Sequence, residues 1–358
     1  MSLFELFSLL GGVGLFLYGM TIMSTGLKNA CGENLRVILE HATKNKVISV
    51  VVGIAITMLI QSSSATDVMV IGFVNSGLMS LTQAIGVIMG ANIGTTITAQ
   101  ITAFNLSAYA PMILFVGAVM YLFVKKDMVK YIGSVIMGFG MLFEGIALMK
   151  AAIAPLAETE AFINMISALE NPFLIVLFGV LFTALLQSSS SATVIFQAFA
   201  VQGIITYKTS VFLVIGAAIG SVTPNILASL TMSRNGKRTA LLNLMFNLIR
   251  AAILMTLILI FPQILTVIKS LSPDNVARQI ANTHTIFAIF AVLVMLPFSD
   301  YIVKLTQKLL PLKPEESRSG EERKLMYMTQ TGAIPSAVAL SQAQREIARM
   351  GEIASRDL

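Results

Sequence analysis

The tetrapeptide Gln-Ser-Ser-Ser occurs twice, at Gln61–Ser64 and Gln187–Ser190, and Ser191 lengthens the second copy. Clustered hydroxyls and carboxamides offer donors and acceptors without a fixed charge. Such a set can hold a small oxyanion through its O–H and N–H groups, and a hard monovalent cation such as sodium through its oxygens. It is poorly equipped for hydrolysis. The two histidines, His41 and His284, are far apart and close to expected membrane edges, so no base accompanies the serines. The copies sit 126 residues apart in matching surroundings: Gly53 pairs with Gly179, Thr57 with Thr183, Gly77 with Gly203, Gly90 with Gly216 and Gly94 with Gly220. Upstream, Gly14, Gly19 and Met23 meet Gly140, Gly145 and Met149. A polar cluster duplicated inside two apolar repeats is the pattern of a transporter, with one mid-depth site built from two related halves.

The body that must position these residues is strongly apolar. Apolar residues make up 56% of the chain and charged residues 12%, far below the roughly 25% charged of soluble domains. Mean hydropathy is +0.83. Sixteen of the forty-two charges lie from Lys304 onward, so the first three hundred residues are more apolar still. The net charge of +6 reads as loop charge and orientation rather than nucleic-acid binding. One cysteine, Cys31, excludes an intrachain disulfide and any cysteine-based metal motif. The start, Met1-Ser2-Leu3-Phe4-Glu5, has no basic region or cleavage site and is expected to begin a first span.

A helical crossing takes about 20 apolar residues. Residues 5–27, 107–124, 131–150, 239–262 and 281–303 satisfy this. The runs 46–60 and 65–78 are too short, and so are 172–186 and 191–204; each pair flanks one serine cluster. They predict re-entrant hairpins with polar tips inside the membrane. Segments 81–104 and 208–231 are long enough but carry Gly90-Ala91-Asn92-Ile93-Gly94-Thr95-Thr96, and Gly216-Ala217-Ala218-Ile219-Gly220-Ser221 with Thr223-Pro224-Asn225. Glycine and proline there predict helices unwound near the midplane. Three crossings separate equivalent points of the repeats, so the second repeat is expected upside down. The fold class is therefore an all-α polytopic membrane protein of two inverted-topology repeats, each with a re-entrant hairpin and an unwound transmembrane helix.

Seven crossings follow, with the N-terminus outside and the C-terminus cytoplasmic by the positive-inside rule. Lys28, Arg36, Lys44, Lys46, Lys125, Lys126, Lys130, Arg234, Lys237 and Arg238 fall on one side, while 151–171 holds Glu158, Glu160 and Glu170 with no basic residue. The expected units are 1–130, a first repeat with its connecting span; 131–304, the inverted repeat and final span; and 305–358, a cytoplasmic linker and helical region.

Inversion brings both tips to mid-depth from opposite sides, with half-helix N-termini starting just after the serines. The anion candidates are Gln61, Ser62, Ser63, Ser64, Gln187, Ser188, Ser189, Ser190 and Ser191. The cation candidates are Gln61, Ser64, Asp67, Asn92, Thr95, Gln187, Ser190, Thr193, Ser221, Thr223 and Asn225. Asp67, whose repeat mate is Thr193, is an ionisable group inside a span, for which function is the default reading; it reads as a sodium ligand or a proton carrier. Glu144 and Arg250 could carry function or pair with one another. Asn243 and Asn247, a turn apart, face either the cavity or a packed helix. Scattered Ser8, Ser134 and Thr256 are expected to join helices, which is the ordinary role of such residues.

At Gln61–Ser64, Gly90–Thr96 and Gln187–Ser191 the chain resembles the sodium–phosphate cotransporter family of animal type II carriers and their bacterial relatives. The resemblance covers nearly all of residues 1–305. It implies sodium-coupled uptake of inorganic phosphate by alternating access, with sodium as coupling ion, no other cofactor, and residence in the cell inner membrane. Ala218 stands where the first repeat has Asn92, so any cation site there is one-sided. The end, around Ala343–Glu346 and Ile347–Glu352, resembles the first helix of a PhoU-like domain and implies a truncated chain. Sulfate or a carboxylate remains the alternative substrate, and a membrane phosphate sensor without transport the alternative function. No Walker-type loop is present to couple ATP directly.

Overall fold

A computed structural model of the chain describes residues 3–31, 45–104, 106–157, 171–311 and 347–348. By internal contacts the chain divides into a unit over Met1–Leu309 and another over Leu310–Leu358. Of the expected PhoU-like region only 347–348 are described, and His41 lies outside the described residues. Among those described, every regular element is helical. The first half comprises α1 (Leu3–Cys31), α2 (Lys46–Ile60), α3 (Ser63–Asn75), α4 (Leu81–Gly94), α5 (Thr96–Thr102), α6 (Ala110–Phe123) and α7 (Asp127–Ala157). The second comprises α8 (Pro172–Leu186), α9 (Ser189–Val201), α10 (Tyr207–Gly220), α11 (Thr223–Ser229), α12 (Arg234–Ile260), α13 (Gln263–Ser270), α14 (Val276–Met295) and α15 (Ser299–Leu309).

Six helical stretches are long and apolar enough to cross a membrane: Leu3–Ala30, Leu81–Thr102, Asp127–Ala152, Tyr207–Ser229, Arg234–Ile260 and Val276–Leu309. The chain is thus a polytopic helical membrane protein. The expected seventh span, Ser107–Phe123, is a shorter apolar helix. At 17 residues it sits at the lower end of what a hydrocarbon core of about 30 Å takes.

Both serine clusters break the chain in the same way. Gln61 ends α2 in the left-handed region at φ 57°, its N–H donating to Thr57 O at 2.7 Å. Gln187 ends α8 at φ 56°, its N–H donating to Thr183 O at 2.7 Å. Left-handed backbone costs a side-chain-bearing residue roughly 1–2 kcal/mol, yet among the described non-glycine residues only these two adopt positive φ. The next residue is extended, and its hydroxyl caps the following helix: Ser62 accepts from Ala65 N–H, and Ser188 from Ser191 N–H. Thr57 donates to Thr66 across the first hairpin at 3.0 Å, tying the arms together. At the foot of each hairpin Gly77 (φ 77°) and Gly203 (φ 74°) turn the chain into the next helix.

The glycines expected to unwind α4 and α10 do something else. A Cβ on Gly90 would overlap the Val50 carbonyl, and one on Gly216 the Val176 carbonyl. Gly90–Gly94 and Gly216–Gly220 are regular helix. Bare backbone on these faces lets α2 run alongside α4, and α8 alongside α10. The break falls later, at Thr95 and at Ser221–Val222, where the backbone keeps right-handed dihedrals. This corrects the unwound stretch to a short irregularity.

The same contacts fix direction. Gly86 faces Ser49 while Gly94 faces Ile54 and Thr57, so α2 and α4 are parallel, and α3 returns to the end where α2 began. Gly12 faces Gly145 and Gly19 faces Gly138, so α1 and its register mate α7 pack antiparallel. Gly90→Val and Gly216→Val are each expected to lower stability by about 1–3 kcal/mol through overpacking. Gly72→Ala, with open space around it, is expected to have no such effect. Thermal unfolding in detergent reads the difference.

Candidate functional site

Each serine tip touches the break in the other half's interrupted helix. Ser190 Oγ lies 2.8 Å from Thr95 Oγ1, between α4 and α5. Ser64 Oγ donates to Ser221 O, between α10 and α11, at 3.4 Å. Adding 126 to Ser64 and Thr95 gives Ser190 and Ser221, so the two contacts are register mates of one another. Ser64 and Ser190 are thereby each paired with a residue of the other half's helix break. The N-termini of α3 and α9 start there, each leaving amides without intrahelical partners.

Beside the first tip lies a buried carboxylate. Asp67 Oδ2 accepts from Asn225 Nδ2 at 3.0 Å and from Asn243 Nδ2 at 2.8 Å. Asn247 Nδ2 donates to Asn243 Oδ1 at 2.8 Å, extending the chain of amides. Asp67 is 4% exposed, and Asp67 Oδ1, Asn225 Oδ1 and Asn247 Oδ1 are buried with no donor. Buried oxygens without donors are costly, and a carboxylate beside carboxamide oxygens is the donor chemistry a hard monovalent cation takes. The sequence left Asn243 and Asn247 undecided between cavity and packing; the structure joins Asn243 directly to Asp67.

A cavity of about 300 Å³ opens at the tips, with Gln61, Ser62, Ser188 and Ser191 on one side and Thr21, Ser24, Thr25 and Lys28 of α1 on the other. Ser24 donates to Ile60 O at 2.5 Å. These α1 residues went unread as site residues, although their spacing of three, four and seven is a polar stripe on one helix face. Lys28 had been counted only as a loop charge. Its place at the cavity gives the serines a nearby cation.

Other candidates are placed differently. Gln61 is held inward by Thr98, which donates to its Oε1 at 2.9 Å. The mate of Thr98 is Pro224, which has no hydroxyl, and Gln187 is exposed. Asn92 Oδ1 accepts from Arg250 Nη1 at 2.8 Å, so a guanidinium occupies the face where a cation was expected. Of the two readings offered for Glu144 and Arg250, function or a mutual pair, the structure shows Arg250 bonded to Asn92, 3% exposed, and Glu144 half-buried on α7. Thr193 turns its hydroxyl to its own helix at Ser189 O, and Thr223 turns its hydroxyl back to Gly220 O at the end of α10. Ser63 is half-buried and Ser189 buried at the helix starts.

Register-related polar contacts between two halves, within a polytopic helical membrane body, are the pattern of membrane proteins built from internal repeats. The Na+/Pi-cotransporter family model matches the chain twice, at residues 15–151 and 152–296, and the chain belongs to that family. It is 28% identical over 348 residues to YjbB of Escherichia coli (strain K12), named for inorganic phosphate export, covering 97% of this chain and 63% of the relative. The chain thus spans less than two thirds of that relative's length. YqeW of Bacillus subtilis (strain 168) is 29% identical over 304 residues, 83% of this chain and 96% of its own. The rat sodium-dependent phosphate transport protein 2A is 37% identical over 97 residues, 26% of this chain and 15% of its own. No solved structure matches the chain.

The tip contact makes a direct prediction. In a Cys31→Ser background, Thr95→Cys with Ser190→Cys should form an intramolecular disulfide under mild oxidation. Ser8→Cys with Ser190→Cys should not, because Ser8 lies twelve residues, about 18 Å of helix, before Met20, which touches Ser191. Gel mobility after cleavage between the halves reads the outcome.

Proposed function

We propose that the protein is a sodium-coupled carrier of inorganic phosphate, working by alternating access through one central site. The observation that carries this reading is the pair of register-related contacts, Ser190–Thr95 and Ser64–Ser221. On this reading the antiparallel packing of α1 and α7 reflects inverted repeats, and α2–α3 and α8–α9 are re-entrant hairpins entering from opposite faces. Ser62–Ser64 and Ser188–Ser191, with the α3 and α9 N-termini, bind phosphate; Gln61 supports the first tip, and Gln187 joins only in another conformation. Helix N-termini and hydroxyls hold an anion firmly enough to select it and loosely enough to release it.

Sodium, as co-transported cargo, takes the orphaned oxygens of Asp67, Asn225 and Asn247. Ser64, Thr95, Ser190 and Ser221 complete its path. Asn92 is left out of this set because Arg250 already binds it. A sodium ion near Asp67 offsets the anion's charge at mid-depth, which is what couples the two fluxes.

Lys28, Lys46, Lys125, Lys126, Lys130, Arg234 and Lys237 lie at or near helix ends, and we take their side as cytoplasmic in a cell inner membrane by the positive-inside rule. Ser107–Phe123 then crosses as a seventh span, with the N-terminus outside and the C-terminus inside. The cavity lined by Lys28 faces the cytoplasm, so the described state is open inward. With an inward sodium gradient the carrier takes phosphate up. Export is the second reading, favoured by the name of the YjbB relative.

Labelled phosphate flux in proteoliposomes tests this. Flux accelerated by a sodium gradient in the same direction supports symport; flux indifferent to sodium supports the export reading. Ser64→Ala and Ser190→Ala should each reduce flux at least tenfold in folded protein, and unchanged flux in both removes them from the site. Asp67→Asn should raise the half-saturating sodium concentration several-fold while leaving phosphate KM at saturating sodium within about twofold. An unaltered sodium titration counts against Asp67 as a ligand.

A further inference from the structure

At the opposite end of the bundle from Lys28 lies a cavity of about 620 Å³, where α5 and α9 end and α10 and α14 begin. Lys150 and Lys269 line it, and Asp274 is the one acid among its described lining residues. Tyr207 and Val276, the first residues of α10 and α14, bring two helix N-termini into the wall. Arg278 stands beside it, 4.0 Å over the Phe104 ring. Gln279, also in the wall, is 2% exposed and leaves Oε1 without a donor. The balance of charge favours an anion, and the idle acceptor suits the hydroxyl of hydrogenphosphate.

We propose that this cavity is the phosphate-capture site of the outer face, with Lys150 and Lys269 as its charged ligands; the inference rests on the transport reading above. The repeat register gives Lys150 a second task. Its mate is Ser24, which donates to Ile60 O beside the first serine tip in the open cavity. When the second half takes up the arrangement of the first, Lys150 stands beside Leu186, the mate of Ile60, at the Ser188 tip. One ammonium then meets the anion in the vestibule and accompanies it to the serines.

What separates vestibule from tips is also visible. Gln197 Nε2 donates to Ala99 O at 3.1 Å and to Ala277 O at 2.9 Å, and its Oε1 accepts from Thr102 at 2.9 Å. It sits two turns past Ser190 and one turn before Ala200, which lines the vestibule. Its register mate is Ile71, which cannot make such bonds, so this three-helix barrier exists on one face only.

Protection of a reporter cysteine tests capture independently of flux. Val201→Cys, in the vestibule wall, is placed in a Cys31→Ser background and modified by a charged thiol reagent added from the outer face. Inorganic phosphate should slow the reaction at least fivefold where equal chloride does not. Lys150→Gln with Lys269→Gln should abolish the protection without altering the rate in chloride, and Lys150→Arg should keep it. In proteoliposomes the double variant should raise the phosphate KM at least fivefold from that face and leave it unchanged from the other. Equal modification rates with phosphate and chloride in the parent protein overturn the proposal, and so does a KM raised equally from both faces. Protection that persists in a protein without flux refutes the transport reading and leaves the capture site standing.

Discussion

Polar groups at the centre of a lipid-embedded body must find partners inside the protein, and here each half supplies the partner for the other. Lipid offers nothing to hydrogen-bond an irregular backbone, which at that depth must be buried in protein or line a cavity. A hairpin tip made of Gln-Ser-Ser-Ser would be too costly if it ended against lipid. Ser190 meets Thr95, and Ser64 meets the Ser221 carbonyl, so each tip lands where the other half's long helix is interrupted. The left-handed turns at Gln61 and Gln187, the capping by Ser62 and Ser188, and the glycine faces of α4 and α10 all serve that landing.

The halves agree in backbone and differ in chemistry. Asp67 gathers Asn225 and Asn243, whereas its mate Thr193 bonds only to its own helix. Thr57 has Thr66 across its hairpin, but Thr183 faces Ala192 in register and keeps an unpartnered hydroxyl. Gln61 is anchored by Thr98, and Gln187 is not. Arg250 sits seven residues, about 10 Å along the helix axis, beyond Asn243, so a negative and a positive group stand apart within one apolar core. A scaffold with a repeated backbone therefore holds a one-sided charge pattern.

Much of this was legible in the sequence because membranes simplify the rules. The 126-residue register and the short arms around each serine cluster marked the chain breaks at Gln61 and Gln187 and the interruptions near Thr95 and Ser221. Glycine was misread in one respect: at Gly90 and Gly216 it serves close approach rather than unwinding, and only tertiary contacts distinguish the two. Asn92 looked like a cation ligand because its long-range partner, Arg250, is 158 residues away. The cavity wall on α1 was legible too, since Thr21, Ser24, Thr25 and Lys28 share a helical face, but that stripe lies outside the serine clusters. Gln187 followed Gln61 by symmetry, and the proline at position 224 is why the symmetry fails.

The central claim is that both serine tips share one chamber at mid-depth and enclose the anion there. An experimental density map of the full chain in a lipid nanodisc, with sodium and phosphate present, tests it most directly. The account predicts a single tetrahedral feature between Ser62–Ser64 and Ser188–Ser191, with Thr95 and Ser190 in contact in at least one state. Serine stretches that run as unbroken helices, or tips separated by lipid with phosphate bound elsewhere, would contradict it.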